Sequence, residues 1–212
     1  MQLTKSRLDR PRLDRDARRE IILDVAQDVF LEEGFANASM STIAARLGGS
    51  KGTLYNYFKS KDDLFIAYVE RRCLWQQDEV FGLLPGETAE QALWRIARSF
   101  LAHMIDETTL RNFRLIVAEA ERTPEIGRIF YDAGPRRGGD RLAEFLASLE
   151  AAGELDLEGD PLGAAQHFLG LVQSPTFKGR LCNAIPELTG RQVDAEATRG
   201  VRAFLRAYRP RP

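Results

Sequence analysis

Histidine and cysteine are scarce in this chain, with two of each among 212 residues. Cys73 and Cys182 stand far apart. They show neither the pairing density of a disulfide-stapled secreted scaffold nor the close spacing of a metal site, and read as two reduced thiols. His103 and His167 likewise have no ligand-like spacing, so no metal site and no cofactor is expected. So small a set gives little from which to assemble a nucleophile with a base and an orienting partner. Long apolar runs are missing as well. No segment reaches the roughly 18 uninterrupted apolar residues that a membrane span requires, and residues 1–20 contain no apolar signal region. The expectation is a soluble, cytoplasmic protein with no membrane partner.

Net charge is also nearly absent. The 30 Lys and Arg against 31 Asp and Glu leave −1, so any nucleic-acid surface must be local, formed where cations gather without acids. One stretch meets that condition. From Leu47 to Lys61 there are Lys51, Lys59 and Lys61 and no carboxylate.

The pattern around that stretch is helical. After an arm that mixes Lys5, Arg7, Arg10 and Arg12 with acids and Pro11, the residues Ile22, Val25, Ala26, Val29 and Phe30 recur at the spacing of one helix face. This first helix should stop at Gly34, with Phe35 folding back onto its stripe. Ser39 or Ser41 can cap a second helix carrying Ile43, Ala44 and Leu47 inward, which Gly48 and Gly49 end. Ser50 then caps a third, short helix. Leu54 and Phe58 anchor it to the core and leave Lys51, Gly52, Thr53, Tyr55, Asn56 and Tyr57 on or near the outer surface. Helix, glycine turn and helix over some eighteen residues form a helix-turn-helix, whose second helix enters the DNA major groove. Lys51 and Thr53 suit base edges, Gly52 lets backbone approach, and Tyr55 offers a ring with a polar tip. Ser50, Asn56 and Tyr57 suit phosphates. Ser60 starts a fourth helix through about Phe81, with Lys61 near a phosphate at its amino end.

The residues Ile43-Ala44, Leu47-Gly48 and Ser50 through Lys61, followed by Leu64-Phe65, resemble the TetR/AcrR family of one-component bacterial transcriptional regulators. The resemblance implies that Ser39, Ser41, Ser50, Asn56, Tyr57 and Lys61 contact phosphates or the groove edge, and that Lys51, Gly52, Thr53 and Tyr55 face the bases. Gly49 and Asn56 depart from the Val or Ala and the His that many relatives carry, which bears on turn flexibility and contact detail. The stretch FRLIVAEAERTPEIGRIFYDAGP resembles the C-terminal domain of the AefR-like branch.

The remainder continues in helices. Glu87 should open one carrying Leu93, Ile96, Phe100 and Met104; another runs from Leu110 to Glu121; Pro124 restarts the pattern, which Gly134-Pro135 and Gly138-Gly139 interrupt. Leu162 to Val172 is apolar on nearly every side, with Gly163 and Gly170 allowing close approach, and Val193 to Tyr208 forms the last helix. A helix without a polar face must be buried, within the chain or against a copy. By the resemblance, the last two long helices pair two chains into a homodimer.

The expected fold is all-α. Residues 1–65 form an amino-terminal arm and a three-helix, helix-turn-helix DNA-binding domain; residues 66–212 form a C-terminal helical bundle for ligand binding and dimerisation. The expected partners are a double-stranded DNA operator of palindromic form and a small-molecule effector that releases it. Trp94, Phe100, His103, Met104, Phe113, Tyr131, His167 and Phe168 are the candidate pocket residues, each equally at home in an ordinary core. Two rivals stand beside this expectation. A nucleotide-binding enzyme would read GGSKGT as a phosphate loop, but the glycine order is wrong and no strand precedes it. A helical protein-interaction module would have no operator.

Overall fold

The computed structural model describes residues 14–73, 81–173 and 176–210, which are helical with no strand among them. The amino-terminal arm through Leu13, and Leu74 and Trp75 on the expected continuation of the fourth helix, lie outside the described residues. The chain divides into two compact units, Met1–Tyr68 and Val69–Pro212, so the boundary follows Tyr68 rather than Phe65.

In the first unit, α1 (Arg15–Asn37) is capped by the Asp14 carboxylate and buries Ile22, Leu23, Ala26, Val29 and Phe30 along one face. Its regular course is interrupted at Gly34, where φ is +74° and ψ 163°, a conformation open essentially to glycine alone. Phe35 turns inward just beyond it. Four rings then close the core: Phe30 meets Phe65 edge-on at 4.9 Å, Phe35 lies 4.7 Å from Phe65, and Tyr68 lies 5.7 Å from Phe65. The short helices α2 (Met40–Arg46) and α3 (Lys51–Tyr55) add Ile43, Ala44 and Leu54 to it. The chain then enters α4 (Lys61–Cys73), where the Asp63 amide donates to Ser60 Oγ at 2.9 Å.

The second unit contains α5 (Ala89–Met104), α6 (Glu107–Ala120), α7 (Pro124–Tyr131), α8 (Arg137–Ala151), α9 (Pro161–Gln173), α10 (Thr176–Leu181) and α11 (Gly190–Tyr208). Its core is built from Leu93, Ile96 and Leu101 of α5, Leu142, Leu146 and Leu149 of α8, Phe168 and Val172 of α9, and Val201 and Phe204 of α11.

Several expected boundaries move for identifiable reasons. Thr88, not Glu87, opens α5, through a capping box with Gln91. Glu87 is instead held by Arg95, which donates to both carboxylate oxygens at 2.9 Å. The glycines near Pro135 do not break the chain's helical course. One π-helical turn, Asp132–Arg136, carries it from α7 into α8 and takes up the proline ring that a regular α-turn would exclude. Gly163 serves the start of α9, because its amide donates to Asp160 Oδ1 at 2.8 Å and a Cβ there would fall 2.1 Å from Oδ2 of the same carboxylate. Gly170 faces open space, and close approach comes at Gly200 of α11, where a Cβ would meet Val172 Cα at 3.0 Å. Helix α9 is therefore largely covered inside its own chain, through Ala164, Ala165, Phe168 and Val172, yet Leu162 and Leu171 remain 43% and 41% exposed. Helix α10 has no counterpart in the sequence expectations. Arg114 of α6 secures its end, donating to the carbonyls of Leu181 at 2.8 Å and Arg180 at 3.0 Å.

Candidate nucleic-acid interface and bundle cavity

Two hydroxyl caps set the geometry of the helix-turn-helix. Ser39 Oγ accepts from the Thr42 amide at 3.1 Å and lies 2.9 Å from the Thr42 hydroxyl. Ser50 Oγ repeats the arrangement with Thr53, at 3.2 Å and 3.0 Å. Each cap satisfies an amide that the helix start would otherwise leave unpaired. Between them Gly48 turns the chain at φ +64°. Leu54 and Phe58, at 1% and 5% exposure, pin α3 and the turn after it to the core. Arg19 of α1 lies over the Phe58 ring, 5.3 Å from its centroid.

That anchoring leaves Lys51, Gly52, Thr53, Tyr55 and Asn56 exposed together, with Tyr55 49% accessible despite its ring. Ser50 and Ser41 are exposed nearby, Ser39 is partly covered by its capping role, and Tyr57 is half-buried. Thr53 offers a hydroxyl already in contact with Ser50 Oγ, so its reach to a base is shared with the cap.

Lys61 departs from expectation. Its ammonium turns toward the end of α1, donating to the carbonyls of Phe35 at 2.6 Å, Ala38 at 3.0 Å and Ala36 at 3.4 Å, and it lies 4.3 Å from the Phe35 ring centroid. An ammonium has three protons, and here each has a carbonyl within reach. Lys61 thus closes the end of α1 instead of pointing outward. Arg46 at the end of α2 is likewise engaged, bonded to Glu32 and 3.8 Å from Glu33. The hydrogen bond to Glu32 raises its affinity for its proton further. Lys51 and Lys59 are the exposed lysines of the acid-free stretch. Lys59 was not among the candidate contacts, although its place in that stretch would have nominated it.

The second unit encloses a cavity of 290 Å³. Helix α5 lines it with Ile96, Phe100, His103 and Met104, and α6 with Thr109, Asn112, Phe113 and Ile116; both sets recur at helical spacing. Phe130, Gly134, Pro135 and Gly138 contribute from α7, the π turn and α8, while Leu169, Gln173 and Phe177 contribute from α9 and α10. Four candidate pocket residues, Phe100, His103, Met104 and Phe113, line this space. Four do not. Trp94 donates its indole N–H to Thr198 of α11 at 3.1 Å and borders a larger, open depression on the surface. Tyr131 is 56% exposed, and His167 pairs with the Tyr208 hydroxyl at 2.5 Å. Phe168 is wholly buried against Phe204, edge-on at 5.1 Å. Asn112, Gln173 and Phe177 escaped notice because an aromatic-residue search passes over amides and because α10 was not foreseen.

Among the described residues no three His, Cys, Asp or Glu side chains gather in a metal-holding group, and no helix is long and apolar enough to cross a membrane.

Known proteins align with both units. Residues 22–68 match the family model for bacterial regulatory proteins of the tetR family, and residues 91–210 match the C-terminal domain of AefR-like transcriptional repressors. A solved structure from Mesorhizobium loti MAFF303099, assigned to the tetR-family transcriptional regulators, is 30% identical with a TM-score of 0.85, over 93% of this chain and 100% of that one. The flavonoid-responsive regulator FrrA is 34% identical with a TM-score of 0.77, over 92% and 98%. Among curated proteins, the transcriptional activator FasR of Mycolicibacterium smegmatis is 45% identical over 60 residues, 28% of this chain and 27% of its own length. YvdT of Bacillus subtilis is 36% identical over 91 residues, 43% of each chain. The chain thus spans less than half the length of these curated relatives. With the amino-terminal and carboxy-terminal units each matched by its own domain of the family, and the helix-turn-helix built as described, the chain belongs to the TetR family of bacterial transcriptional regulators.

Proposed function

We propose that this protein is a DNA-binding transcriptional repressor that grips a near-palindromic operator as a homodimer and lets go when a small molecule enters the cavity of the second unit. The observation that carries the DNA-binding part is the exposed α3 surface. Lys51, Gly52, Thr53 and Tyr55 are held outward by the buried Leu54 and Phe58, within a stretch containing no carboxylate. Two copies of α3 related by a two-fold axis address successive major grooves about 34 to 36 Å apart, hence the palindrome.

The outward faces of α9 and α11 are the proposed dimer contact. Exposed Leu162 and Leu171 and the open side of Gly170 favour it. The cavity supports an effector, and the flavonoid response of FrrA adds that a structurally similar regulator answers to a small molecule. Coupling of the two sites is typically worth about 1 to 3 kcal/mol.

A gel-shift titration of DNA flanking the protein's own gene, run across a salt series, tests the proposal. The expected result is a sequence-specific, salt-sensitive complex that is weakened in Lys51→Ala and Tyr55→Ala. Equal affinity for scrambled DNA at moderate salt would overturn it.

A further inference from the structure

We infer that α10 is a movable cover of the cavity, and that Arg114 is the positioning residue that holds it shut and so governs how often the interior opens to solutes. Access itself does not depend on what the cavity binds. Its bearing on operator release rests on the cavity being the effector site.

Of the α-helices that line the cavity, α10 is the shortest, at six residues, and it presents one side chain to the space, Phe177. The longer walls, α5, α6, α8 and α9, have 13 to 16 residues each. Three of these, α5, α8 and α9, are bound into an apolar core that, among the described residues, includes none from α10. Phe177 rests edge-on against Phe113 of α6 at 5.3 Å. Residues 176–185 form one compact piece: the Ala184 amide donates to the Gly179 carbonyl at 2.8 Å and the Asn183 amide to that of Arg180 at 3.0 Å. Ile185 lies against Gly179, where a Cβ would meet it at 2.9 Å. Bonds inside this piece survive its displacement, but bonds to α6 do not.

Arg114 of α6 clips the piece down. Beyond the carbonyls of Leu181 and Arg180, its guanidinium donates to Asn183 Oδ1 at 2.8 Å. Glu107, at the start of α6, ties the clip together by accepting from Arg114 Nη1 at 3.4 Å and from Arg180 Nη2 at 3.1 Å. Hydrogen bonds to charged groups are the stronger kind, so the clip makes up for the slight apolar hold. Closure nevertheless carries a penalty. Arg180 is 8% exposed, and its buried Nε finds no acceptor among the described residues. Opening to water relieves that donor, which narrows the gap between the closed and open states. Segments with few buried apolar contacts are the first to open in a folded chain.

Thiol labelling tests this. In the full chain carrying Cys73→Ser and Cys182→Ser, Ile116→Cys puts a thiol on the cavity wall at a position 2% exposed. Leu146→Cys puts one in the core, at a wholly buried position that does not line the cavity. The rate of modification by N-ethylmaleimide is followed by intact mass. Adding Arg114→Ala should raise the rate at position 116 about tenfold or more and leave that at position 146 nearly unchanged. Arg114→Lys, which keeps the charge but not the fork, should fall between. An unchanged rate at position 116 would overturn the inference. So would equal increases at both positions, which describe general loosening of the unit. Hydrogen exchange of the unmodified chain decides the matter even if a variant misfolds: peptides covering residues 176–182 should exchange well before those of α6 and α9, and equal protection would overturn the cover. Neither readout involves DNA, so failure of operator release in a gel shift would remove the effector role and leave the cover standing.

Discussion

Lys61 donates to three carbonyls at the end of α1, and this decides what its removal does. Hydrogen bonds to a charged group contribute more than neutral ones, so Lys61→Ala should lower the stability of the first unit by about 1 to 3 kcal/mol. Exposed Lys59→Ala should leave it nearly unchanged; urea denaturation followed by circular dichroism compares the two. Lys51 belongs to the opposite case, a cation exposed on the outer side of α3. Lys51→Ala should weaken operator binding by about 1 to 3 kcal/mol and relax specificity at one base pair, whereas a uniform loss across sequences with a salt slope lowered by about 1 in a gel-shift series would assign Lys51 to a phosphate. The difference between these two lysines also marks where sequence sufficed. Leu54 and Phe58, one turn apart, fix which side of α3 is outward, so the fate of Lys51 is local. The fate of Lys61 depends on backbone oxygens contributed by a distant helix end, and no spacing along the chain records them.

At the level of elements, caps and close approaches carry the testable consequences. Gly200→Ala would set a methyl 3.0 Å from the Val172 backbone, pushing α11 from α9 at a cost of about 1 to 3 kcal/mol, readable as a lower midpoint in denaturant. The segment before α5 answers to pH. The Arg95 guanidinium first, and the Leu84 amide second, hold the Glu87 carboxyl below its usual range. A depressed folded value means that the stabilisation is present above the ordinary glutamate value of about 4.3 and is lost as the pH falls through the lower one. The melting-temperature advantage of the unmodified chain over Glu87→Gln should therefore shrink on acidification below about pH 4. The long amphipathic helices were legible because period and length agree over several turns. Helix α10 was not, since six residues show little periodicity and its end is secured from α6 by Arg114. Half of the candidate pocket set lines the cavity for the same kind of reason: helix period says which side chains face inward, but not whether they meet packed neighbours or a space.

For the whole molecule, the outward face of α9 is the feature with most at stake. Leu171 is 41% exposed and Leu162 43%, on a helix with no charged side chain among its thirteen residues. If this face joins two copies, Leu171→Glu should give a monomer in analytical ultracentrifugation and weaken binding to a palindromic site far more than binding to a single half-site. A variant that remains dimeric would move the contact elsewhere. In the sequence, the run from Leu162 to Val172 has no polar face and points to cover by a partner. In the structure much of that apolar surface is covered by α8 and α11, and the remaining leucines carry the proposal.

The π turn at Asp132–Arg136 bears on the protein's history. A π turn holds one residue more than an α-turn in nearly the same length, so deleting a single residue there would return the helix to regular winding. Everything after it would keep nearly the same direction, because the wide turn would close with one residue fewer and leave the following faces in place. Leu142, Phe145, Leu146 and Leu149 would stay turned to the interior. The same deletion inside α8 would instead rotate the residues beyond it by about 100° and carry buried side chains off the core, so the π turn is where chain length in this segment can change at least cost.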